Sequence, residues 1–105
     1  MIGIEKISLD STGILGTSVK VTVIVEEAMS GLEVSLTVEN PLDGDSLTDQ
    51  EMIAIDDRVY QYVWQSADSG TVQDEAGTYE AIVTVYDGTD RVIGYQRFDL
   101  TDVID

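Results

Sequence analysis

The sequence predicts an all-β antiparallel sandwich. Apolar and polar residues alternate with a period of two over most of the chain, and the alternating runs are short and punctuated by Gly, Asp and Ser. The helical template of apolar residues at i, i+3 and i+4 fits almost nowhere.

Seven strands follow from that pattern. Gly3 to Leu9 is the first, closed by the turn "DSTG". Ser18 to Glu26 sets Val19, Val21, Val23 and Val25 on one face and Ser18, Lys20, Thr22, Ile24 and Glu26 on the other. Leu32 to Glu39 alternates in the same way, as half-buried antiparallel strands do. "NPLDGDSLTDQ", Asn40 to Gln50, reads as a polar connection leaving the sheet, followed by a short strand at Glu51 to Ile55 and a corner at Asp56-Asp57. Val59 to Gln65 is the fifth strand, where Tyr60, Tyr62 and Trp64 compete with Val59 and Val63 for the interior. After a long loop, Ser66 to Gly77, the strands Thr78 to Tyr86 and Arg91 to Leu100 form a hairpin around "DGTD", in which Gly88 supplies a positive φ at low cost. Setting Tyr86 opposite Arg91 pairs Thr84 with Ile93, Ile82 with Tyr95 and Glu80 with Arg97. This register matches an aliphatic with an aromatic side chain and an acid with a base. It puts Ala81, Val83, Val85, Val92, Gly94 and Gln96, with Phe98 and Leu100 beyond, on the core face. One domain over residues 1–100 with an acidic tail, 101–105, is expected.

Composition narrows function more sharply than any motif does. The chain has no cysteine and no histidine, which closes disulfides, thiolate metal sites and the usual general base near neutral pH. Against 21 Asp and Glu stand 5 Lys and Arg, a formal net charge of -16. Phosphate backbones are repelled by such a surface, so nucleic acid is not an expected partner. Hydrophobic residues make up 43% of the chain, too many for a disordered acidic tail, so the acids belong on the surface of a folded body. Asp-rich, Lys-poor surfaces of this kind resemble those of proteins from strongly saline habitats. No apolar run reaches the roughly 18 residues that would span a bilayer, so membrane insertion is not expected. "MIGIEKISLDSTG" lacks the basic head and apolar core of a secretory signal, and the single asparagine precedes Pro41, which leaves no N-glycosylation acceptor.

The run "DEAGTYEAIVTVYD", Asp74 to Asp87, with Trp64 upstream, resembles the tyrosine corner of immunoglobulin-like domains. The "W...AGTYxAxVxVxD" pattern is similar to disulfide-free prokaryotic immunoglobulin-like or fibronectin type III-like modules of surface and viral structural proteins. The resemblance implies a seven-stranded immunoglobulin-like β-sandwich, with Tyr79 as the corner and Trp64 as a structural core residue. The places of the two antibody cysteines hold Val and Ala, and Trp64 lies later than the antibody core Trp, so an antigen-receptor variable domain is not implied.

Three groups of residues are candidate sites. Asp43, Asp45 and Asp49 in "DGDSLTD" could offer oxygen ligands to calcium, although Leu47 interrupts them and Thr48 and Ala54 stand where an EF-hand loop has Gly and Glu. Tyr60, Tyr62 and Trp64 could form a sugar platform, but aromatic residues on a strand more often face a core. The outer face of the last hairpin, Ile82, Tyr86, Ile93 and Tyr95, is the strongest: an apolar and aromatic island on an acidic protein marks a contact surface. No resident cofactor is expected beyond possible calcium. The resulting expectation is a non-enzymatic structural or interaction protein in an assembly outside the cell, with other protein subunits as partners and homo-oligomers possible. A virion component, such as a decoration, capsid-surface or tail protein of a virus of a salt-adapted host, is the first setting. A module of a secreted cell-surface, adhesion or S-layer-associated protein is the second, and a calcium- or carbohydrate-binding domain the third.

Overall fold

The computed structural model describes residues 3–14, 17–28, 30–40, 44–65 and 76–101. Eight strands follow one another: β1 (Ile4–Ser11), β2 (Ser18–Val25), β3 (Glu33–Glu39), β4 (Asp45–Glu51), β5 (Ile53–Asp56), β6 (Val59–Gln65), β7 (Gly77–Tyr86) and β8 (Arg91–Leu100). They form two four-stranded antiparallel sheets, ordered β1-β2-β6-β5 and β4-β3-β7-β8.

The expected count of seven strands is corrected by β4, which occupies most of the predicted polar connection. Its partner is β3, through Ser35 opposite Glu51, Leu36 opposite Gln50, Val38 opposite Leu47 and Glu39 opposite Asp45, with two breaks of register. Those breaks, together with a left-handed backbone at Asp49 (φ 45°), scramble the alternation that would have marked a strand. The predicted strand Glu51 to Ile55 is divided as well. Glu51 ends β4 in one sheet, Ile53 opens β5 in the other, and between them Met52 is buried in the core while its N–H donates to the Val34 carbonyl at 2.8 Å.

Period-two patterning accounts for the core. Val19, Val21, Val23 and Val25 of β2, Val34, Leu36 and Val38 of β3, and Tyr79, Ala81, Val83 and Val85 of β7 are buried between the sheets. The competition on β6 is decided by register: Tyr60, Tyr62 and Trp64 lie opposite the buried Val23, Val21 and Val19. Tyr60 and Trp64 are buried and Val63 is exposed, as expected when the larger apolar surface takes the interior. Trp64, from the first sheet, packs on Tyr79 and Phe98 of the second at centroid distances of 5.6 and 6.2 Å, and those two stack on each other at 5.6 Å. One aromatic triangle thus ties the two layers together.

Across the end of the sandwich β1 meets β8. A Cβ placed on Gly94 would lie 3.0 Å from Ile4 Cδ1 and 3.1 Å from Ile7 Cδ1, so glycine makes room there for the β1 isoleucines. Gln96, placed on the core face by alternation, is exposed; β8 is an edge strand with no further neighbour to cover it. Asn40, the one buried polar residue among those described, holds the β3–β4 connection: its Oδ1 accepts from Gly44 N–H at 3.1 Å and its Nδ2 donates to Ser46 Oγ at 3.3 Å. Thr101, first residue of the predicted tail, bridges Ile14 and donates its N–H to the Gly13 carbonyl at 2.8 Å; 102–105 lie outside the described residues.

Candidate interaction surface

The register predicted for the last hairpin is the observed one: Tyr86 opposite Arg91, Thr84 opposite Ile93, Ile82 opposite Tyr95 and Glu80 opposite Arg97. The turn that sets it is built by one carboxylate. Asp87 Oδ1 accepts the N–H groups of Asp90 at 2.6 Å and Thr89 at 2.8 Å, Gly88 adopts φ 98°, and Asp87 N–H donates to the Asp90 carbonyl at 3.1 Å. The Asp90 N–H, then that of Thr89, stabilises the charged form and holds the Asp87 carboxyl below its ordinary 3.8. A carboxylate with a lowered folded-state value contributes stability in full above 3.8, and loses it as the pH falls through that lower value. The melting temperature of Asp87→Ala should therefore lie below wild type at neutral pH, and the gap should close as the pH is taken well under 3.8. A pH-independent gap would remove the turn carboxylate from this role.

Above the turn, four side chains share the outer face of the β4-β3-β7-β8 sheet. Ile93 and Tyr95 on β8 are 61% and 65% exposed, while Ile82 and Tyr86 on the more central β7 are half-buried. Tyr86 is fixed on both sides: its hydroxyl donates to the Gly88 carbonyl at 3.0 Å, and the Arg91 guanidinium lies 5.1 Å from its ring centre. Arg97 Nε is 3.2 Å from Glu80 Oε2. The island is thus apolar in the middle, with a cation over an aromatic ring at one end and an ion pair at the other.

Around it the same face is acidic. By register and alternation β3 offers Glu33 and Glu39, β4 offers Asp45, Asp49 and Glu51, β7 Glu80 and β8 Asp99, against Arg91 and Arg97. Glu33, Asp49 and Glu51 join Thr84, Tyr86, Arg91 and Ile93 around an open depression of about 510 Å³. Sequence reasoning finds the island but not this acidic wall, because it reads Asn40 to Gln50, which takes in all of β4 but Glu51, as a connection. The single apolar residue Leu47, half-buried against the core, was the one signal that this segment packs on the sheet.

The other candidates fall elsewhere. Asp45 and Asp49 stand exposed on β4 rather than in a loop, and Asp43 lies outside the described residues. Among the described residues no group of three or more Asp or Glu side chains is placed to hold a metal ion. Tyr60, Tyr62 and Trp64 face the core and so form no exposed ring platform. Tyr79 is fully buried, whereas most of the preceding loop, to which a tyrosine corner bonds, falls at 66–75, outside the described residues. No described helix is long and apolar enough to cross a membrane. No family model matches the chain, and no curated protein matches it.

Proposed function

We propose that this chain is an immunoglobulin-like, non-enzymatic module that works as a structural and interaction part of an assembly outside the cell. The observation that carries the reading is the hairpin face: Ile93 and Tyr95 are exposed on a four-stranded sheet whose outer face also carries seven acids against two arginines. An apolar centre inside a charged rim is how protein contact surfaces are built, and the rim selects a partner with a basic border. The immunoglobulin-like part rests on the resemblance of "AGTYEAIVTVYD" and on a strand order in which β1, β2, β6 and β5 share one sheet and β4, β3, β7 and β8 the other.

A virion component of a virus of a salt-adapted host is the setting we place first, on the acidity of the surface. A module of a secreted cell-surface protein is second, favoured by the likeness of the Trp64 to Asp87 pattern to surface modules. Neighbouring genes for capsid and tail proteins would select the first, and an internal position in a long secreted chain the second. The interface itself is tested by Tyr95→Glu. Incorporation of the variant into the native particle or envelope should fall about tenfold or more, with the melting curve of the isolated chain unchanged. Wild-type incorporation would set this face aside.

A further inference from the structure

The opposite side of the sandwich has a different character. On the β1-β2-β6-β5 sheet, the buried valines of β2 force Lys20, Thr22 and Ile24 outward, and cross-strand register then arranges the outer face in three rows. Lys6, Ile24, Val59 and Asp56 form the first; Ser8, Thr22, Gln61 and Ile53 the second; Asp10, Lys20 and Val63 the third. Two lysines balance two aspartates on a chain whose net charge is -16. Ile53 is 70% exposed and Val63 49%.

We propose that this face is a self-docking surface, on which a second copy of the chain stacks back to back. Two copies each bearing -16 repel one another almost everywhere; here they meet without opposing net negative charge. The pattern is also self-complementary, as a two-fold contact requires. A two-fold axis running along the middle row sets Lys6 of each copy over Asp10 of the other and Val59 over Val63, with Ile24 against the aliphatic stem of Lys20. About five residues at ~3.4 Å each on four strands ~4.8 Å apart make a footprint of roughly 300 Å² per copy. The total falls in the small, transient class below about 1,200 Å², so the dimer is weak and concentration-dependent. The pairing does not depend on the hairpin-face reading, but it would turn two hairpin faces outward on opposite sides and give a bivalent unit able to bridge partners.

The test is a charge exchange read by sedimentation of the purified chain, at about 0.15 M salt and up to about 1 mM protein. Wild type should form a reversible dimer. Lys6→Glu and Asp10→Lys should each weaken it about tenfold, since each turns two attractive contacts repulsive. The double variant Lys6→Glu/Asp10→Lys should restore it. Lys6 and Asp10 lie four residues apart on one strand, about 13 Å at strand rise, so recovery reports a contact between copies. Tyr95→Glu should leave the dimer intact, which separates this surface from the hairpin face. Thermal melts of each variant show that the fold is kept. A monomeric wild type, a dimer indifferent to Lys6→Glu, a double variant no tighter than the singles, or a dimer lost in Tyr95→Glu would each overturn the proposal.

Discussion

Trp64→Ala is expected to remove about 3–5 kcal/mol of folding stability, the range for deleting a buried aromatic ring. Trp64 is 2% exposed, and it is the ring through which β6 touches both β7 and β8. Its removal therefore opens a cavity between the sheets rather than within one, where neither layer can close it without shifting the other. Against the 5–15 kcal/mol that stabilises a typical domain, such a loss approaches unfolding. The melting temperature should drop by on the order of 20 °C for a domain of this size. Urea titration followed by far-ultraviolet circular dichroism is the suitable measurement, because the variant has lost the only tryptophan. Trp64→Phe should avoid part of the loss by keeping a ring against Tyr79. A shift below about 1 kcal/mol for Trp64→Ala would mean that the aromatic triangle does not tie the layers.

Salt is the second large lever. With a net charge of -16 and two ion pairs among the described residues, Glu5–Arg58 and Glu80–Arg97, most surface carboxylates have like charges as neighbours. Two such charges ~10 Å apart repel by about 0.4 kcal/mol in water before screening, and many pairs contribute. The Debye length falls from about 30 Å at 0.01 M to about 3 Å at 1 M ionic strength, which removes nearly all of that repulsion in the folded state. The melting temperature should therefore rise by on the order of 10 °C between those two conditions. Sodium chloride and potassium chloride should act alike if screening alone is responsible. A melting temperature flat across the series would count against both the repulsion argument and the saline setting.

How much of the candidate site was legible in the sequence depends on how local each feature is. The hairpin register followed from one turn and one choice of pairing, because Asp87 and Gly88 leave the two strands little freedom to slip. Ile93 and Tyr95 could accordingly be assigned to the outer face before any sheet was known. The acidic wall beside them could not, since it depends on β4 joining β3. β4 carries polar residues on both faces, as an edge strand can, and its register breaks hide the period of two. Arg91 illustrates the same division: alternation puts it outward, while its position over the Tyr86 ring is a product of the pairing.

By itself the sequence determined that the chain is all-β, where most of its strands lie, which valines face inward, and that the surface is acidic. Each of these follows from side-chain chemistry and a backbone period of two, which act within a few residues. The tertiary structure alone decided which strands share a sheet, that the chain changes sheets at Met52, that Trp64 meets Tyr79 and Phe98, and that the two outer faces differ in charge. Those are long-range outcomes. A face becomes neutral or acidic only once strands far apart in sequence, such as β2 and β6 or β3 and β7, are laid side by side.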